Sequence, residues 1–163
     1  MADQVISHAL SLPKLYPLYG VLIPAVQSLA AKLEGRPGNL TGYRALLDFC
    51  LEQLVALAQP IPVPKDWALD QQVNCSCTYC ERLNRFLKDK DAQVCRFAVR
   101  KELRRHLHNK IDTYHCDLNH ETERVGRPYT LVCTKNRKSY QQKVRQFEVD
   151  TQLLAQLRSY SGN

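Results

Sequence analysis

Three cysteines fall within six residues of this chain, in the stretch Cys75-Ser-Cys77-Thr-Tyr-Cys80, and the ligand-rich stretch His115-Cys116-Asp-Leu-Asn-His120 follows further on. Thiolate and imidazole groups clustered in fours are typical of a tetrahedral zinc site, and a Cys-x-x-Cys pair commonly supplies two of the ligands. Cys77 and Cys80 have that spacing. The sequence therefore predicts one Zn²⁺ bound in the second half of the chain.

The residue pattern assigns Cys77 and Cys80 as one ligand pair and Cys116 as the third ligand. Cys75 is set aside as a spare, because a single intervening residue places it too close to Cys77 to serve beside Cys80 without strain. A Cys3His site keeps a net charge of minus one after binding Zn²⁺, which surrounding arginines and lysines stabilise. The fourth ligand is open among the histidines that lie nearby, namely His106, His115 and His120.

The sequence lacks the motifs of several enzyme classes. A zinc deaminase requires His-x-Glu and Pro-Cys-x-x-Cys, and neither is present. A non-haem iron triad could take its local pair from His115-x-Asp117, but no histidine follows His120 to complete it. The phosphate-binding Gly-x-x-x-x-Gly-Lys loop and the Gly-x-Ser-x-Gly elbow are also missing. We therefore expect a binding module and not an enzyme.

Positive charge is concentrated around the expected metal site. The net charge is +7, and residues 75–145 hold seventeen basic and eight acidic residues, whereas residues 1–74 hold five and six. Such a surface is typical of proteins that bind nucleic acid or an acidic partner, although it could also be a solvated face. Aromatic residues are not interleaved with these charges as a stacking platform would require. The predicted binding face consists of Arg100, Lys101, Arg104, Arg105, Arg124, Arg127, Lys135, Arg137 and Lys138.

The first part of the chain has helical patterning. Prolines interrupt residues 9–33 and predict short helices there, of which residues 24–34 form the most regular; residues 34–39 form a break. Apolar residues at helical spacing then predict one long helix from near Thr41, with Cys50 as a core residue. Alternating prolines in residues 59–67 predict a stiff extended connector.

The second part mixes helices and strands. The pattern predicts a helix over 81–88, a strand over 92–98, a helix over 99–111 and a hairpin over 122–135 with a turn at 125–128. On the 99–111 helix, His106 faces inward and His108 faces water. A last helix from Lys138 packs back on this part, and Cys133 is a core residue. We expect an α+β protein with a helical segment (1–59), a Pro-rich linker (60–74) and a zinc-binding α+β domain (75–160).

Cellular location follows from what the sequence lacks. No apolar run approaches the roughly 18 residues of a membrane span, and the N-terminus does not have the pattern of a signal peptide. We therefore expect an intracellular protein, cytoplasmic or nuclear, without membrane contact. In a reducing compartment seven cysteines are more typical of metal ligands and core residues than of disulfides. The oligomeric state stays open.

Residues 67–140 resemble the cysteine-rich C-terminal region of large plant and fungal proteins named as 2-oxoglutarate and iron-dependent oxygenases. The resemblance rests on Cys75-Ser-Cys77-Thr-Tyr-Cys80, Arg105-His-Leu-His108, Ile111-Asp, His115-Cys-Asp117 and Thr122-Glu-Arg-x-Gly-Arg-Pro-Tyr-Thr-Leu-Val-Cys-Thr-Lys135.

In those proteins the oxygenase core lies upstream, and this chain has no such core of its own. The resemblance implies a zinc-binding accessory domain preceded by helices, with the ligand set Cys77, Cys80, His106 and Cys116; His120 is the alternative ligand that the residue pattern allows. A protein-interaction or regulatory domain that docks on a larger enzyme, with a purely structural zinc, is the second functional hypothesis.

Overall fold

The structure, a computed structural model, describes residues 2–12, 14–33 and 41–161. It combines helices with a three-stranded antiparallel sheet, and helices precede the sheet along the chain, which confirms the predicted α+β class. No helix within these described ranges combines the length and apolarity needed to cross a membrane. The chain divides into two compact units, Pro62–Gln142 and a helical unit made of Met1–Ile61 and Lys143–Asn163.

The helical unit contains α1 (Ala2–Ser11), a π-helical turn (Leu18–Leu22), α2 (Ile23–Leu33), α3 (Thr41–Leu57) and most of α6 (Lys138–Ser161). Pro24 lies in the first turn of α2, where its missing N–H has no cost. Cys50 is fully buried on α3, as predicted. The break predicted at residues 34–39 lies outside the described residues. The buried core consists of Leu22, Ile23, Val26, Leu46, Leu47, Cys50, Leu54, Leu154 and Leu157.

The C-terminal turns of α6 belong to this helical core. Leu154 and Leu157 pack among the N-terminal helices, and buried Asp150 accepts a 2.8 Å hydrogen bond from the Tyr19 hydroxyl. This arrangement differs from the prediction that the last helix packs on the 75–160 domain. An apolar stripe indicates that a helix face is buried, but it does not indicate which core buries it.

The second unit contains α4 (Thr78–Lys88), β1 (Val94–Ala98), α5 (Lys101–Thr113), β2 (Leu118–Glu123) and β3 (Thr130–Lys135). The strand order is β1-β3-β2, with β3 antiparallel to both neighbours. The predicted hairpin is present as β2–β3, and β2 begins at Leu118, before the predicted start. Gly126 in its turn has φ of 73°, a conformation that favours glycine. The core of this unit combines Leu83, Leu87, Phe97, Leu107, Ile111, Leu131 and Cys133 with other buried residues.

The predicted linker is part of the second unit from Pro62 onward and packs along it. It has no helix or strand in residues 62–77, but its backbone is held to the end of α4. The Trp67 amide donates to the Lys90 carbonyl at 2.9 Å, and the Leu69 amide donates to the Leu87 carbonyl at 2.8 Å. The segment is therefore an extended stretch, fixed to the end of α4, that leads into the metal site at Cys75.

Candidate metal site

Three cysteines and one histidine lie together in the second unit: Cys75, Cys77, Cys80 and His106, whose ligand atoms are all within 4.8 Å of one another. The Sγ atoms of Cys75, Cys77 and Cys80 are 3.6, 3.6 and 3.3 Å from His106 Nε2. Tetrahedral Zn²⁺, with bonds of about 2.3 Å to sulfur and 2.0–2.1 Å to nitrogen, separates such atoms by about 3.6 Å. One Nε2 cannot form directional hydrogen bonds with three thiols, because it has a single proton or lone pair. The group therefore fits the corners of a metal tetrahedron.

The three cysteines face one point because extended backbone changes to helix between them. Cys75 and Cys77 belong to an extended stretch, in which residues two apart point to the same side, while Ser76 between them is exposed. Cys77 is the N-cap of α4, with φ −74° and ψ 147°. Helix α4 then returns Cys80, in its first turn, to the same side. We call the segment from Cys75 to Cys80 the knuckle.

Asn84 on α4 fixes the approach to the knuckle. Its side-chain amide accepts from the Val73 backbone amide at 2.8 Å and donates to the Val73 carbonyl at 2.9 Å. Val73 itself is buried, so the chain is anchored two residues before Cys75. Asn84 is not recognisable from the sequence, because a contact between residues eleven apart leaves no periodic signal.

His106 is supplied by α5, which packs on the core through buried Leu107 and Ile111. The predicted inward direction of His106 agrees with its place in the cluster, where it is half-buried. Along the chain, the strand β1 lies between α4 and α5. A metal bound by all four residues would link the knuckle to α5 directly.

The electrostatics of the thiols are uneven. A hydrogen bond with the Cys77 backbone, followed by interactions with the Cys77 and His106 side chains, lowers the pKa of Cys75 to about 6. Burial is the largest cause that raises the pKa of Cys80, and the neighbouring Cys77 and Cys75 thiols add to it. Cys75 therefore ionises at a lower pH than Cys80. A metal requires every ligating thiol as thiolate, so its binding would release protons.

Cys116 is not in this cluster, contrary to the predicted ligand set, and Cys75 occupies the place expected for it. Cys116 follows the end of α5, where its amide donates to the Ile111 carbonyl at 3.1 Å, and it is buried in the core. The end of α5 at Thr113 is about 10 Å along the helix axis from His106. The structure thus brings Cys77, Cys80 and His106 together as predicted, with Cys75 as the fourth member.

His120, the alternative ligand, forms a separate network with His108. The two Nδ1 atoms are 2.6 Å apart, so one ring donates to the other, and His120 Nε2 is 3.1 Å from an Asp112 carboxylate oxygen. His108 Nε2 is 3.2 Å from the Thr122 hydroxyl. Burial, the largest cause, lowers the pKa of His108. His108 therefore joins α5 to β2, and the prediction that it faces water is corrected.

The residues considered for an iron triad have other surroundings. Asp117 is buried, and its carboxylate accepts hydrogen bonds from the Ser139 amide and hydroxyl at the start of α6. His115 is exposed, with φ of 47°. Asp117 thus serves the first turn of α6, as a helix cap does.

Three cations of the predicted binding face are engaged inside the second unit. Lys135 is 4% exposed, and its Nζ donates to the Asp89 carbonyl at 2.5 Å. Arg104 donates to the carbonyls of Val99 and Tyr129, and its guanidinium lies 5.3 Å from the Tyr129 ring centre. Arg137 lies 4.6 Å from the Trp67 ring centre. The assignment of Lys135 to a partner-binding face is therefore corrected.

Five of the other predicted cations are exposed and belong either to the N-cap and first turns of α5 or to the hairpin turn. The Arg104–Tyr129 contact places the start of α5 beside the end of that turn. Lys138 is exposed, but it follows the end of β3 that is far from the hairpin turn. A six-residue strand that begins at Thr130 spans about 17 Å. We call the exposed set near the turn the basic corner, which consists of Arg100, Lys101, Arg105, Arg124 and Arg127.

Comparisons of this chain with protein-family models, with curated proteins and with solved structures find no match. The resemblance to the C-terminal region of oxygenase-named proteins therefore stays a prediction.

Proposed function

We propose that the second unit is a zinc-binding module that binds nucleic acid through the basic corner. The observation that carries the zinc assignment is the placement of three sulfurs at 3.3–3.6 Å from one imidazole nitrogen. Cys3His is a common donor set of structural zinc sites, and all four coordination positions would be filled by protein. A catalytic zinc keeps one position open for water, so this donor set supports a binding role over a catalytic one.

The zinc would act as a cross-link within the fold. It would join the knuckle to α5, because Cys80 and His106 belong to different helices. The basic corner includes the start of α5, so the same cross-link would hold those cations in place.

The balance of exposed charge supports nucleic acid as the partner. Acidic residues are few within the basic corner: Glu102 approaches Arg100 at 4.0 Å, and both side chains are about three-quarters exposed, so the pair is weak. Five exposed cations could contact several phosphates, each of which releases condensed counterions from the nucleic acid.

The test is a salt titration of binding. A fluorescently labelled oligonucleotide is added to the zinc-loaded chain, and Kd is measured by anisotropy at several salt concentrations. We expect log Kd to rise with log salt, with a slope of about 3–4 for four to five phosphate contacts. Exchange of Arg100 and Arg127 for glutamine is expected to reduce the slope by about 2. Absence of binding at low salt contradicts the proposal.

A second candidate function is docking on another protein through the helical unit. Large apolar side chains are exposed there: Leu15 is 69% exposed and Leu57 50%. The same exposed apolar side chains should cause the purified chain to self-associate. This self-association should persist at high salt and weaken when Leu15 and Leu57 are exchanged for serine, measured by light scattering on a gel-filtration column. Zinc would then be purely structural.

A further inference from the structure

An open depression lies beside the knuckle, with a volume of about 710 Å³. Four segments distant in the sequence form it: the knuckle, the end of β1, the start of α5 and the hairpin turn. Its lining residues are Ser76, Cys77, Thr78, Tyr79, Ala98, Val99, Arg100, Leu103 and Pro128.

The lining combines an apolar surface with one aromatic ring and one cation. Val99, Leu103 and Pro128 are apolar, and Tyr79 is half-buried, so part of its surface remains available. The Arg100 side chain is 76% exposed at the rim. Arg127, next to Pro128, is exposed as well. The depression therefore places an apolar, aromatic surface between cations of the basic corner.

We propose that this depression binds one unpaired base of a single-stranded nucleic acid, while the flanking phosphates contact Arg100 and Arg127. The inference rests on the proposed function and adds the site and the type of strand. A base in a duplex is stacked and paired, so its faces cannot enter a concave apolar site, whereas bases of single strands commonly stack on aromatic side chains. In a single strand, phosphates alternate with bases along the backbone. Exposed cations around an apolar site can therefore contact the phosphates while the apolar surface contacts a base.

The depression shares residues with the metal site. Cys77 is both a lining residue and a member of the Cys3His group, and Tyr79 lies between Cys77 and Cys80. Loss of the metal would free the knuckle to move, and Tyr79 would then no longer be held in the depression. Base-dependent binding should therefore require the loaded metal site.

The experiment uses the full zinc-loaded chain and labelled probes of equal length: a single-stranded oligothymidine, its abasic counterpart, a duplex and an oligoglutamate peptide. Kd is measured at one low salt concentration for the wild type, Tyr79→Ala and Arg100→Gln. Arg85→Gln is the charge-matched control, because Arg85 is exposed near the other end of α4; Tyr140→Ala is the aromatic control. Zinc content and circular dichroism verify that each variant is folded.

We expect oligothymidine to bind the wild type at least about 5-fold more tightly than the abasic probe, as one stacked base would provide. Tyr79→Ala should remove most of this difference, and Arg100→Gln, which alters an exposed side chain and leaves the core intact, should weaken both single-stranded probes about 5-fold or more. Both control variants should resemble the wild type.

Equal affinity for oligothymidine and abasic probe, or a Tyr79→Ala variant that behaves as the controls do, would overturn the base site and leave the salt-dependent phosphate binding of the proposed function standing. Stronger binding of the duplex would also overturn it. Binding of oligoglutamate alone would overturn both proposals and indicate an acidic protein partner.

Discussion

Lys135 is a cation whose charge is used inside the protein. Its Nζ donates to the Asp89 carbonyl and lies 4.7 Å from the centre of the Phe86 ring. Burial, the largest cause, lowers the pKa of Lys135, whereas the nearby Asp89 carboxylate opposes that shift. An ammonium held in this way joins the end of β3 to the end of α4 and cannot reach a phosphate.

We predict that Lys135→Met lowers the free energy of unfolding by about 1–3 kcal/mol, because the Asp89 carbonyl loses its charged donor and the Phe86 ring loses its cation. The control, Lys138→Met, changes an exposed lysine by the same chemistry and should cost less than about 0.5 kcal/mol. Urea unfolding followed by circular dichroism measures both values. Equal stability of the two variants would show that Lys135 is not engaged as described.

At the residue scale, the sequence predicted the chemistry of the metal site but not all its members. Cys77 and Cys80 are recognisable from their two-residue gap, and His106 from its position on a helix with a buried stripe. Cys75 is missed, because the spacing of a Cys-x-Cys pair suggests strain when Cys80 binds the same ion. In extended backbone both side chains point to the same side, and the alternation of Val73, Cys75 and Cys77 was the signal that could have revealed this.

Asp117 organises the start of α6, the longest of the helices in the described residues. The Ser139 amide and hydroxyl donate to its carboxylate at 3.1 and 2.8 Å, and the Asn136 amide donates to its backbone carbonyl at 2.8 Å. A carboxylate near a helix N-terminus satisfies free amides and interacts favourably with the helix dipole. The segment between α5 and β2 is therefore tied to α6.

We predict that Asp117→Ala lowers the free energy of unfolding by about 1–2 kcal/mol, since the first turn of α6 loses its acceptor. The metal content should stay unchanged. Asp91→Ala is the control, because Asp91 is exposed and lies far from α6 in the sequence. Thermal unfolding and elemental analysis provide the two measurements. Loss of metal from a folded Asp117→Ala chain would favour the iron triad over the Cys3His group.

At the element scale, periodicity and turn residues were sufficient to predict whether most elements are helices or strands. The hairpin followed from its Gly-containing turn and alternating strand, and the helices from their apolar stripes. Long-range pairing was not predictable in the same way. The order β1-β3-β2 and the packing of Leu154 and Leu157 with the N-terminal helices depend on contacts between residues far apart, which one sequence does not reveal.

For the molecule as a whole, we predict that metal binding and folding are coupled in one unit only. The cysteine cluster belongs to the unit Pro62–Gln142, whereas the helical unit has its own core without a member of that cluster. A strong chelator should therefore unfold the second unit and leave the α-helical signal of the first, because binding free energy of a structural metal is part of folding free energy.

Hydrogen exchange resolves the two units. Amides of β1, β2 and β3 should lose protection after chelation, while those of α3 keep it. Restoring Zn²⁺ should restore the protection of the strands. Strand protection that persists in metal-free protein contradicts a structural role for the metal.

The excess of positive charge was predictable from the sequence, but the positions of the basic side chains in the folded molecule were not. The sequence located the excess in residues 75–145. Folding then directs Lys135 inward, engages Arg104 and Arg137 with aromatic rings, and leaves the basic corner beside the depression. Tyr79 reaches that corner although it is about twenty residues from Arg100 in the sequence. Interleaving of aromatic and basic residues along the chain is therefore not required for their proximity in space.

The central claim is that Cys75, Cys77, Cys80 and His106 hold one zinc ion. The measurement that tests it most directly is elemental analysis of the purified chain and of four variants: Cys75→Ser, Cys116→Ser, His106→Ala and His120→Ala. We predict one zinc per chain in the wild type, Cys116→Ser and His120→Ala, and loss of zinc in Cys75→Ser and His106→Ala. Zinc that is kept by Cys75→Ser and lost by Cys116→Ser, or a metal other than zinc in the wild type, would contradict the claim.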